Sequence, residues 1–82
     1  MTTVNEAKVN KRVAATLQWW REEGYTDLQM AQMADKAISV KQMVLDTLPE
    51  CPYTDAVTKA KCLEDATETI EVMKRIKREL YY

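Results

Sequence analysis

Tyr25 follows the only glycine of the chain, Gly24, and precedes Thr26-Asp27-Leu28. An aromatic ring just ahead of a helix N-terminus is placed to stack on a purine, while nearby backbone donors face its phosphate. Lys41 stands among the apolar residues Ile38, Val44 and Leu45. Its stem snorkels along such a stripe, and its ammonium is available to an anion at a subunit boundary. The run Lys74-Arg75-Ile76-Lys77-Arg78, followed by Tyr81-Tyr82, sets cations beside aromatics, the vocabulary of phosphate and base contact. Trp19-Trp20 adds two large rings about 100° apart on a helix, so both cannot enter one core. All of this is non-covalent recognition chemistry. Each feature also has a structural reading: Tyr25 as a hydrophobic staple ahead of the Thr26 cap, Trp19 as interface packing, and the basic run as cations complementing a helix dipole.

Groups for covalent chemistry are scarce. The chain has no histidine and a single serine, Ser39, which removes most hydrolytic triads and zinc sites. Cys51 and Cys62 read as free thiols; Cys62 lacks a histidine to activate it, and two cysteines alone make a poor metal site. Asp27, Asp35 and the carboxylates of the last helix fall at solvated positions, without an apolar pocket to raise a pKa. Neither an enzyme nor a bound metal or cofactor is expected.

These side chains need rigid elements to position them, and the spacing predicts an all-α chain. One glycine and two prolines in 82 residues leave too few turns for a β fold, and the length suits one domain over residues 1–82. The first helix is expected over about 4–23. A capping box over Thr3 to Glu6 opens it, Val9, Val13, Leu17 and Trp20 form its apolar face, and Gly24 ends it. A second helix over about 27–48 starts at a Thr26/Gln29 capping box and stops at Pro49. Its stripe of Met30, Met33, Ala34, Ala37, Ile38, Val44, Leu45 and Leu48 is wide enough for more than one neighbour. Tyr53 or Thr54 opens the third, about 55–80, with the stripe Ala56, Ala60, Leu63, Ala66, Ile70, Met73 and Leu80. A five-residue connector makes the two long helices an antiparallel hairpin, preceded by the shorter N-terminal helix. So short a chain cannot cover the wide stripe by itself, which predicts a homo-oligomer.

From Gly24 onward the chain resembles the anti-CBASS sponges, small phage proteins built as helical hairpins that form oligomers and sequester cyclic di- and trinucleotide immune signals. Gly24-Tyr25-x-x-Leu28 is similar to the Gly-Tyr-Arg-x-Leu that opens that family's long helix, although Thr26 stands where the arginine would be. Lys41 is one residue out of the spacing of the family's lysine, whose preceding asparagine is absent. The closing helix carries Leu63-Glu64 and the ending Ile76-Lys77-Arg78. The likeness spans roughly residues 24–80, and the first helix is longer than the family's lead-in. It implies that Tyr25 stacks a base, that Lys41 meets a phosphate at a dimer interface, and that Arg75 or Arg78 serves a separate site for larger rings. The candidate ligand-binding set is Tyr25, Thr26, Lys41, Arg75, Arg78 and Trp19.

Twelve basic and 13 acidic side chains give a net charge of −1, neither the basic excess of a DNA coater nor the acidity of a DNA mimic. Nucleic acid is therefore not the expected partner, although the basic C-terminal run leaves a minimal nucleic-acid binder as a third reading. No signal peptide or membrane span is visible, so a cytoplasmic setting is expected, that of the host if the chain is phage-encoded. The leading expectation is a non-enzymatic phage counter-defence protein sequestering a cyclic di- or trinucleotide at subunit interfaces. The alternative is a helical inhibitor or adaptor that docks its exposed methionine and tryptophan surface on a host protein.

Overall fold

The computed structural model describes residues 5–81, which form three helices and no strand. Helix α1 covers Glu6–Glu22, α2 Asp27–Thr47 and α3 Ala56–Leu80, with a single 3-10 turn at Leu48–Glu50 between the last two. The ends of the helices follow from local chemistry. Asn5 caps α1: its side-chain oxygen accepts the backbone N–H of Lys8 at 3.0 Å. Glu6 is thus the first helical residue, not the closing member of a capping box, and Thr3, the cap expected from sequence, lies outside the described residues.

The α1–α2 corner forms as its residues dictate. Gly24 adopts φ 89°, and its N–H bonds to the carbonyl of Arg21 while that of Tyr25 reaches the carbonyl of Trp20. This pair of bonds satisfies the orphan carbonyls at the helix end, and the positive φ is where a side chain would be strained. Two residues on, the Thr26 hydroxyl accepts the Gln29 N–H at 3.2 Å and the Gln29 side chain accepts the Thr26 N–H at 2.9 Å. At the other connection, Asp55 caps α3, taking the N–H of Thr58 at 2.7 Å and its hydroxyl at 2.9 Å. Tyr53 and Thr54, the residues expected to open α3, lie in the turn ahead of it. Lys59 secures this turn by donating to the carbonyls of Pro49 and Cys51.

The core consists of Val9, Val13, Leu17 and Trp20 from α1, Met30 and Ala34 from α2, and Val72 and Ile76 from α3, with Met33, Met73 and Leu80 at its margin. Burying such a side chain stabilises the fold by about 1.5–3 kcal/mol, whereas an exposed ion pair contributes about 0–1 kcal/mol. Packing therefore holds α1 in place, and the Lys8–Glu68, Arg12–Glu68 and Arg75–Glu6 pairs trim its flanks. Lys77–Asp35 and Lys41–Asp65 bridge α2 and α3 in the same way.

The structure corrects the sequence expectation at α3, which packs against both other helices. It turns Leu63, Ala66 and Ile70 one way and the fully buried Val72 and Ile76 another, with Met73 packed against the cluster that holds those two. The expected stripe omitted Val72 and Ile76 and included Ala56 and Ala60, which are exposed. The first helix packs on its own hairpin but is shorter than it. No residue between Asp35 and Asp65 is buried, so about half of a molecule 40 Å long is a two-helix arm with no third helix over it among the described residues.

Candidate functional site

Tyr25 is held at the corner by the Gly24 turn behind it and the Thr26 cap in front, with 42% of its surface exposed. The first two turns of α2 run away from it, and residues three or four apart share a helix face. Gln29, Gln32, Met33 and Lys36 accordingly line up beside the ring, and these five side chains enclose an open groove of about 290 Å³. An aromatic face, a thioether floor, the Gln32 carboxamide and one ammonium are suited to a planar base with an attached phosphate, while the Gln29 carboxamide oxygen is held by the Thr26 N–H and leaves only its NH2 group to a ligand. Lys36 is exposed and makes no ion pair among the described residues. Gln29, Gln32 and Lys36 are absent from the set expected on sequence. Their spacing from Tyr25 is the signal that would have found them.

The expected residues are dispersed. Lys41 stands fourteen residues beyond the start of α2, about 21 Å along its axis at 1.5 Å per residue. It turns to α3, where its ammonium meets Asp65 at 3.5 Å. Within one chain Tyr25 and Lys41 are too far apart to share a small ligand. The Thr26 hydroxyl is engaged by the capping box. Trp19 is 60% exposed on α1, while its neighbour Trp20 is buried.

The basic run divides by helical phase. Arg75 faces α1, donating to Glu6 at 2.6 Å, Asn10 at 2.8 Å and Glu71 at 3.0 Å; the bonds to the carboxylates, Glu6 first and then Glu71, raise the pKa of its guanidinium. It acts as a clamp between helices. Lys74, Lys77, Arg78 and Tyr81 line a shallow groove of about 570 Å³ on the outer face of α3. Lys77 there is bonded to Asp35, which raises its pKa, and Arg78 lies 3.6 Å from Glu71. The carboxylates offset the charge of Lys77 and Arg78, while Lys74 is exposed and makes no ion pair among the described residues.

Cys51 and Cys62 are both free thiols. The Thr54 hydroxyl, 3.5 Å from the Cys51 sulfur, is the leading cause of a lowered thiol pKa there. Among the described residues no group of three His, Cys, Asp or Glu side chains is arranged to hold a metal ion, and no helix is long and apolar enough to cross a membrane. Comparison with protein families, curated proteins and solved structures gives no match to the chain.

Proposed function

We propose that this chain is a non-enzymatic binding protein of phage origin that sequesters a cyclic di- or trinucleotide, with Tyr25 stacking a base and Lys36 meeting a phosphate. The groove lined by Tyr25, Gln29, Gln32, Met33 and Lys36 carries the reading. It sits where the resemblance to the anti-CBASS sponges places the base, but its cation is Lys36 in place of Lys41. At about 290 Å³ it lies at the lower edge of the ~300–1,000 Å³ common for small-molecule sites. One groove takes one nucleotide unit, and the rest of the ring is held by a second subunit. Sequestration needs only affinity, which rigid helical positioning of a few contacts supplies.

Calorimetric titration with a cyclic dinucleotide and a cyclic trinucleotide tests this. Saturable binding is expected for the wild type. Stacking on an aromatic is worth about 1–3 kcal/mol per base, so Tyr25→Ala should weaken binding about tenfold or more, with Lys36→Ala following it and Lys41→Ala leaving it unchanged. Absence of heat with either ligand, or equal affinity in Tyr25→Ala, overturns the proposal.

The exposed Trp19 and Leu28, at 60% and 64%, favour a second reading, docking on a host protein through this end of the bundle. It predicts a co-purifying host partner whose binding is lost in Trp19→Ala and is indifferent to cyclic nucleotides.

A further inference from the structure

The capping box that starts α2 also fixes one wall of the Tyr25 groove. Gln29 is both the third residue of that helix and a lining residue of the groove. Its carboxamide faces the backbone N–H of Thr26 at 2.9 Å. An N–H is a donor, so the amide atom turned to it is the oxygen, and this bond sets which way the carboxamide lies. The NH2 group makes no hydrogen bond among the described residues, and it is what Gln29 offers a ligand. Gln32 is exposed and has no bond of this kind, so its carboxamide turns to suit a donor or an acceptor. Among the described residues no carboxylate lines the groove.

We infer that the groove selects guanine over adenine and that Gln29 is the residue that makes the choice. The inference rests on reading this groove as the seat of one base of a cyclic oligonucleotide. An unconstrained glutamine suits adenine, because its oxygen accepts from the N6 amino group while its NH2 donates to N7. Here the oxygen is engaged by the helix cap, and that two-point pairing is closed. The NH2 that remains meets neighbouring acceptors at O6 and N7 of guanine, the edge that a lysine ammonium reads in the same way. Against adenine it faces the N6 amino group, donor to donor, and a polar group is left unpaired. Because the cap has already ordered the side chain, bonding to guanine costs little further rotamer freedom. Lys36 stays with the phosphate and Gln32 bonds either base, so neither sets the preference.

Calorimetric titration with cyclic di- and trinucleotides of guanosine alone, and with those of adenosine alone, tests the selection. The wild type should bind the guanine ligands about tenfold or more tightly, the discrimination of one good base-edge pairing. Gln29→Glu is the informative variant. Glutamate closes a capping box as glutamine does, so helical circular dichroism should be unchanged. One carboxylate oxygen takes the Thr26 N–H, and the other puts an acceptor where the NH2 stood. The affinity ratio should then reverse in favour of adenine, while both affinities fall because the carboxylate repels phosphate. Reading the ratio separates base choice from that common loss. A wild type that binds both bases equally, or prefers adenine, overturns the inference and leaves the Tyr25 groove standing. So does a ratio that Gln29→Glu leaves unchanged. If no ligand of either base binds, the sequestration reading itself falls, and the base choice falls with it.

Discussion

Glu68 accepts a hydrogen bond from Arg12 at 2.7 Å and lies 3.4 Å from Lys8, with 13% of its side chain exposed. The Arg12 bond is the main cause of a carboxyl pKa held below the ordinary value, with the Lys8 charge adding to it. A group whose folded pKa is depressed stabilises the fold above its unfolded pKa, near 4.3, and loses that contribution as pH falls through the folded value. Thermal melts followed by circular dichroism should therefore show the midpoint dropping as pH falls below about 4. Glu68→Gln should flatten that drop while lowering the midpoint at neutral pH. A variant with an undiminished acid slope would mean that the carboxylate does not help to hold α1. Sequence periodicity placed the carboxylates of α3 in solvent, and for Glu64 and Asp65 that is where they are. Glu68 departs from it because its partner is 56 residues away on another helix, a pairing that no local pattern encodes. Lys36 was legible in principle, since it shares a face with Gln29 and stands one turn beyond Gln32.

The Gly24–Thr26 corner positions everything near the candidate groove, and its two ends make different demands. A methyl group at Gly24 would meet no atom within 4 Å, so Gly24→Ala isolates the cost of a positive φ from any clash. That cost is about 1–2 kcal/mol for a left-handed residue. Thr26→Ala removes the hydroxyl that accepts the Gln29 N–H, and loss of such a cap costs about 1 kcal/mol. Denaturant titration should place both variants below the wild type by about these amounts. If Thr26 serves only as a cap, its ligand affinity should fall far less than that of Tyr25→Ala. A Thr26→Ala variant with full stability and lost binding would instead make the hydroxyl a ligand contact. The three helices were legible because Gly24 and Pro49 punctuate the chain and the apolar spacing on α1 is regular. The double-sided burial of α3 was not. Ile76 sits among Lys74, Arg75, Lys77 and Arg78, and four cations around one isoleucine look like a solvated end until α1 is laid against it.

Burial along the whole molecule is graded. Val9, Met30, Ala34, Ala66, Val72 and Ile76 are at most 1% exposed, and all lie in the part of the bundle spanned by α1 or at its edge. The arm beyond has backbone hydrogen bonds of the same kind but no fully buried side chain to oppose their opening. Local unfolding follows buried apolar contact, so the free energy of opening should rise from the arm toward the α1-covered half. Amide hydrogen exchange at low protein concentration should accordingly show the slowest exchange around residues 30–34 and 66–76. Residues 38–47 and 56–64 should exchange faster, although both stretches are helical. Uniform protection in the dilute protein would instead mean that the hairpin is self-sufficient, since nothing else along the arm distinguishes one set of helical amides from the other.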